Sequence, residues 1–210
     1  MPIVHLLRHG KVDNPQGVLY ERLPGYHLSE LGQQMAAVAA QFFKDRPITH
    51  LRCSPLERTQ ETIAPLAALF PELEVILDDR VIEAGNRFAG QVMGSTAKAA
   101  RSPKNWPYLL NPLRPSWGEA YSAIAKRMTT AILDAAELAG DGEAVIVTHQ
   151  LPIWVTRRRV ERRVLWHDPR KRQCTLASVT SVQVSDQRLV KVDYAEPARA
   201  LLPDGPQVGF

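Results

Sequence analysis

The chain has 210 residues, 45% of them hydrophobic and 23% charged, and carries a net charge of +4 at pH 7. That is an ordinary globular composition with length for one sizeable core, so a single domain over residues 1–210 is expected. No apolar run approaches the roughly 18 residues of a membrane span, Met-Pro-Ile-Val-His lacks a signal peptide's charged start, and two cysteines, Cys53 and Cys174, form neither a disulfide framework nor a zinc site. A cytoplasmic protein with no membrane partner is therefore expected.

The first predicted element is a buried strand over Ile3 to Leu7, an apolar, β-branched run too short for a helix and stopped by Gly10. Arg8 and His9 fall at its C-terminal edge, the side of an open α/β sheet on which ligands bind. The next segment, with Asn14, Pro15, Gly17, Pro24, Gly25, Tyr26 and His27, is too rich in turn formers for regular structure. Ser29 opens a helix that carries Leu31, Met35, Val38, Ala39, Phe42 and Phe43 at helical spacing to about Lys44, before Pro47. A second strand runs from Ile48 to Cys53. Ser54-Pro55-Leu56 then leads into a helix with Arg58, Thr59, Thr62, Ile63, Leu66 and Leu69.

Val75 to Leu77 reads as a third strand, and Asp78 to Gly94, which contains Glu83, as irregular chain. Four prolines and two tryptophans between Ser102 and Trp117 suggest an ordered loop packed over something, a lid. The longest helix is expected over Glu119 to Leu138, closed by Gly140 and Gly142. Ala144 to Val147 forms a fourth strand and ends in Thr148-His149. Thr175 to Val184 and Arg188 to Tyr194 pair as a hairpin around Ser185-Asp186-Gln187, and a tail with Pro197, Pro203 and Pro206 wraps the surface. Alternating strands and helices predict an α/β fold, a three-layer α/β/α sandwich whose mostly parallel sheet carries the C-terminal hairpin at its edge.

The basicity is local. Residues 157–172 hold eight cations against Glu161 and Asp168, a block that can attract an acidic molecule but is more commonly a solvated helix face. No aromatic-interleaved RNA signature or recognition helix accompanies it, so no nucleic-acid partner is expected.

Strand ends thus deliver Arg8-His9, Ser54 through Arg58, and His149, and the segment after the third strand adds Glu83. Leu-Leu-Arg-His-Gly, Ser-Pro-Leu-Glu-Arg-Thr-Gln-Glu-Thr, the isolated Glu83 and Val-Ile-Val-Thr-His together resemble the histidine phosphatase superfamily, in its phosphoglycerate mutase-like branch, over residues 3 to about 182. The resemblance implies a phosphomonoesterase acting on a small phosphorylated metabolite through a phosphohistidine on His9. Arg8, Arg58 and His149 would clamp the phosphoryl oxygens, with Asn14 as a further phosphate contact. Glu83 would protonate the leaving oxygen and then deprotonate the attacking water. No metal and no other cofactor is implied, and homodimers occur among related proteins.

Some positions depart from the family pattern. Lys11 stands where Glu or Gln is usual, Asn14 comes one residue earlier than the family's Asn, Gln150 replaces a Gly after the second His, and Ala120 replaces a Ser. His5, His27, His50 and His167 are expected to be packing or surface residues, with His27 near the mouth. A Cys-based phosphatase is rejected because Cys53 and Arg58 are separated by four residues and not five. The alternatives left open are a phosphoglycerate mutase and a non-catalytic phospho-ligand binding module on the same fold. The substrate, the oligomeric state and the role of the basic block are not set by the sequence.

Overall fold

Four apolar runs and one alternating hairpin assemble into a six-stranded sheet in the computed structural model, which describes residues 1–92 and 118–202. The strands are β1 (Ile3–Arg8), β2 (Ile48–Cys53), β3 (Val75–Leu77), β4 (Glu143–Thr148), β5 (Val179–Ser185) and β6 (Arg188–Ala195). Their order is β3-β2-β4-β1-β5-β6. The first four are mutually parallel, and β5 and β6 add antiparallel at the β1 side. The helices are α1 (Glu30–Gln41), α2 (Glu57–Ala67), α3 (Tyr121–Ala139) and α4 (Gln150–Val160). The expected lid, Ser102 to Trp117, and the tail prolines Pro203 and Pro206 lie outside the described residues.

Side-chain alternation along the central strands divides the core into two layers. Val4, Leu6, Ala144 and Ile146 face α3 and α4 together with Ile124, Met128, Ile132 and Ile153. Leu7, Val145, Val147 and Leu51 face α1 and α2 with Met35, Phe43, Ile63 and Leu66. Both faces of the parallel strands are covered, which is why β1 and β4 read as unbroken apolar runs instead of alternating ones. The α/β/α sandwich expected from the sequence is the observed one.

Helix ends differ from the periodicity where local chemistry intervenes. Ser29 caps α1 by accepting from the Gly32 N–H at 3.1 Å. The helix stops at Gln41 because Phe42 and Phe43 bond three residues back, to the Ala39 and Ala40 carbonyls, tightening the last turn. The third helix begins at Tyr121 and not Glu119, because Gly118 bridges to Asn86, the Glu119 N–H donates to the Gly85 carbonyl at 3.0 Å and Ala120 is still extended. At the hairpin, Ser185 pairs with Arg188 across Asp186 and Gln187, at φ 49° and 57°. Two successive positive φ angles make the turn whose twist matches antiparallel strands.

Candidate active site

Three adjacent parallel strands, β2, β4 and β1, end at the same edge, and each hands the chain a polar residue there. The His9 N–H donates to the Thr148 carbonyl at 3.1 Å and the Ser54 N–H to the Val147 carbonyl at 3.0 Å, so the first residues past β1 and β2 are both tied to β4. His9 and His149 therefore lie side by side, ring centroids 5.2 Å apart at 60°. Close packing supports the turn that follows. A Cβ on Gly10 would lie 2.5 Å from the Gly32 carbonyl oxygen, and one on Gly32 would lie 2.0 Å from that of Lys11. Only glycines let the loop after β1 approach the start of α1 this closely.

His9 is 3% exposed, and its Nδ1 sits 2.8 Å from the Gly10 carbonyl oxygen. A carbonyl only accepts, so Nδ1 carries the proton and Nε2 keeps its lone pair. Burial first, then the Arg58 and Arg8 guanidiniums, hold the His9 pKa well below the usual histidine range. The ring is accordingly neutral at physiological pH.

Arg58 is fully buried. Its Nη2 donates to the Glu21 carbonyl at 2.5 Å and lies 3.3 Å from His149 Nδ1, and its guanidinium stacks 4.8 Å from the Tyr20 ring centroid. Its Nε and Nη1 find no partner among the described residues. Arg8 donates from Nη1 to the Cys174 carbonyl at 2.6 Å. His149 is also fully buried, its pKa held down by burial and then by Arg58. Since Nδ1 faces an arginine donor, Nε2 carries the proton and donates to Ser54 Oγ at 2.9 Å.

Helix α2 also builds the site's wall. Glu57 accepts from the Gly25 N–H at 3.0 Å and Glu61 from the Leu28 N–H at 2.6 Å, so the irregular segment after His9 is pinned at several points. Glu61 also pairs with His27, which is on the surface as expected. Opposite, Glu83 Oε1 accepts from the Ala84 N–H at 2.8 Å, and the Glu83 carbonyl accepts from Arg22 Nε at 2.6 Å. Burial raises the Glu83 pKa against the lowering effects of the Ala84 N–H, Arg58 and Arg172.

Among the described residues, Asn14 makes no side-chain hydrogen bond to this cluster. Its amide donates to the Val18 carbonyl at 2.9 Å and accepts from the Val18 N–H at 3.0 Å. Both bonds close the loop on itself and hold Asn14 in place. His5 is a core residue, bonded to Ser181 and Glu143 at 2.8 Å and 2.9 Å. His50 is buried. Among the described residues no group of three or more His, Cys, Asp or Glu is arranged to hold a metal ion.

A family model described as the histidine phosphatase superfamily, branch 1, matches residues 4–197. The chain belongs to that superfamily. A histidine phosphatase of this kind has relatives of differing description. An uncharacterized protein of Mycobacterium tuberculosis is 50% identical over 196 residues, 93% of this chain and 96% of that one. A 2,3-bisphosphoglycerate-dependent phosphoglycerate mutase of Thermoplasma acidophilum is 30% identical over 155 residues, 73% of each chain. Among solved structures, a phosphoserine phosphatase of Entamoeba histolytica in complex with 3-phosphoglyceric acid shares the fold with a TM-score of 0.73 at 19% identity, covering 92% of this chain and 96% of that one. The sequence resemblance to this superfamily is thereby borne out.

Two residues of this histidine phosphatase site carried no sequence signal. Glu21, at φ 39°, lies in the left-handed region that non-glycine residues rarely adopt. Its Oε1 accepts from Asn86 Nδ2 at 3.2 Å, and burial and then Glu83 push its pKa up to about 7. Arg172, one cation of the basic block, turns inward and lies in the field of Glu83 and Glu21. The rest of the block is self-paired or solvated. Arg157 bonds Glu161 at 2.9 Å and lies against Trp154 and Tyr194, Arg158 donates to the Val164 carbonyl at 2.6 Å, and Arg170 pairs with Asp168 at 2.8 Å.

Proposed function

We propose that this histidine phosphatase is a metal-independent phosphomonoesterase that hydrolyses a small phosphorylated metabolite through a phosphohistidine on His9. The observation that carries the reading is the state of His9, a neutral ring with Nδ1 locked on the Gly10 carbonyl and Nε2 free, set between two guanidiniums.

Phosphoryl transfer asks a site for positioning and for charge to meet the transferring oxygens. Arg58 offers Nε and Nη1, and with Arg8 it supplies the positive charge that a metal provides in other phosphatases. His9 Nε2 attacks phosphorus and the bond to the leaving oxygen breaks. Glu83, whose hold on its proton burial strengthens, gives that proton to the leaving oxygen. The Glu83 carboxylate then takes a proton from water, the resulting hydroxide attacks phosphohistidine, and phosphate leaves with both His9 and Glu83 restored. In this scheme His149 keeps Arg58 aligned through Nδ1 and completes the clamp when Nε2 turns from Ser54 to a phosphoryl oxygen.

The test is hydrolysis of p-nitrophenyl phosphate in excess chelator. The wild type is expected to turn over, His9→Ala to be inactive, and Glu83→Gln to be strongly slowed with inorganic phosphate binding nearly intact. Activity lost in chelator and restored by a divalent ion, or wild-type rates in His9→Ala, overturns the mechanism.

The identity to a phosphoglycerate mutase favours a second reading, in which phosphohistidine hands its group back to a reoriented glycerate. The residues following Glu83, Ala84-Gly85-Asn86-Arg87-Phe88-Ala89-Gly90, are unlike the Tyr-Gly…Gly…Lys segment after the acid in which mutases of this family resemble one another, which supports water as the acceptor. Incubation with 3-phosphoglycerate and a trace of 2,3-bisphosphoglycerate decides. Isomerisation much faster than phosphate release selects the mutase.

A further inference from the structure

Arg172 follows a one-turn 3-10 helix, Pro169–Lys171, and its guanidinium is gripped by two neutral acceptors. Its Nε donates to His167 Nε2 at 2.9 Å and its Nη1 to Gln150 Oε1 at 3.3 Å. His167 is built for this task. Its Nδ1 donates to the Leu165 carbonyl at 2.7 Å, which leaves Nε2 as an acceptor, and its ring packs between Tyr121 and Trp154. Burial, with Arg172 and Arg158 nearby, lowers the His167 pKa to about 4, so the ring stays neutral and accepting at physiological pH. Gln150 is the residue after His149, which ties this grip to the edge of the candidate active site.

The grip contains no counter-ion. Arg172 forms no ion pair within 4.0 Å among the described residues. Glu83, Tyr121 and Glu21 act on it only through their longer-range field, and Arg8 opposes it. A guanidinium does not discharge when desolvated, and a half-buried cation with neutral ligands is an unfavourable arrangement unless an anion joins it. Nη2 makes no hydrogen bond to the described protein, so one edge of a rigid fork remains open.

We propose that Arg172 is a specificity-determining residue that binds a carboxylate carried by the substrate beside its phosphate. This rests on the phosphomonoesterase reading above. A carboxylate matches the planar fork and brings one charge to one guanidinium. The selected substrates are phosphorylated hydroxy or amino acids and not phosphorylated alcohols.

The experiment compares 3-phosphoglycerate with glycerol 3-phosphate, which differ by a carboxylate in place of a hydroxymethyl group. In the wild type the ratio of their kcat/KM values is expected to favour the carboxylate, and Arg172→Gln to lower that ratio about 10- to 100-fold, mainly through KM, as loss of a charge-assisted bond predicts. Arg172→Lys keeps the charge without the fork and should recover part of the preference. The same ratio is read as Kd by calorimetry with His9→Ala as the background, where turnover does not interfere. Hydrolysis of neither compound with the Kd preference intact removes the phosphatase reading and leaves Arg172 as an anion-binding residue. A wild-type ratio near one, or a preference unchanged in Arg172→Gln, overturns the proposal.

Discussion

Arg58 is held in a position that serves a ligand better than it serves the fold, and Arg58→Met separates those roles. The guanidinium is fully buried, and two of its three nitrogens have no partner among the described residues. Buried donors left unsatisfied cost about 1–3 kcal/mol each. Against that stand the bonds to the Glu21 carbonyl and His149 and the stacking on Tyr20, which together contribute on the order of 3–6 kcal/mol by ordinary magnitudes for charged bonds and cation–π contacts. The opposing sums are similar, so methionine, of comparable length and able to fill irregular space, is expected to leave unfolding stability within about 2 kcal/mol of wild type. Activity should behave differently. Two charge-assisted bonds to the transferring oxygens, at about 1.5–3 kcal/mol each, correspond to a loss of roughly 10²- to 10⁴-fold in kcat/KM. Urea unfolding and p-nitrophenyl phosphate hydrolysis measure the two effects separately, and inorganic phosphate should raise the midpoint of the wild type but not of the variant. An Arg58→Met protein that unfolds far more easily yet keeps activity within tenfold of wild type would refute the assignment, since Arg58 would then be a structural residue.

Glu21 is an ionisable group that the fold disfavours in its charged form. The unfolded chain releases this proton near 4.5 and the folded protein at about 7, so the stability it contributes is full below pH 4.5 and is lost as pH rises through 7. Glu21→Gln should therefore be more stable than wild type at pH 8, with the advantage absent at pH 4.5; denaturant midpoints at the two pH values check the sign, and an equal gain at both refutes it. Gly32→Ala places a Cβ 2.0 Å from the Lys11 carbonyl oxygen, so it should cost about 1–3 kcal/mol and weaken inorganic phosphate binding by displacing the loop behind His9. A thermal midpoint equal to wild type would mean that the contact is soft.

The parallel strands, the hairpin turn and the Ser29 cap were legible because each depends on neighbours a few residues away. An apolar run of strand length needs no knowledge of its partner to be recognised, and it brought Arg8, His9 and His149 to the right edge of the sheet. Family resemblance gave Glu83 and Arg58 their expected roles. Cys53 and Cys174, which the sequence read as small buried residues, are free and buried. Asn14, Glu21, His167 and Arg172 were decided by the tertiary structure alone. Asn14 is bonded to Val18 because the loop curls back on itself. Glu21 becomes a half-buried acid with a raised pKa only when Glu83, 62 positions later in the chain, is folded beside it. Arg172 stands in a run of cations that periodicity cannot divide into inward and outward members. What separates it from its solvated neighbours is its grip by His167 and Gln150. The charge state, hydrogen-bond partners and solvation of a polar side chain depend on residues distant in sequence, so the sequence by itself determined the strands and the strand-end residues, and only the folded chain decided what surrounds them.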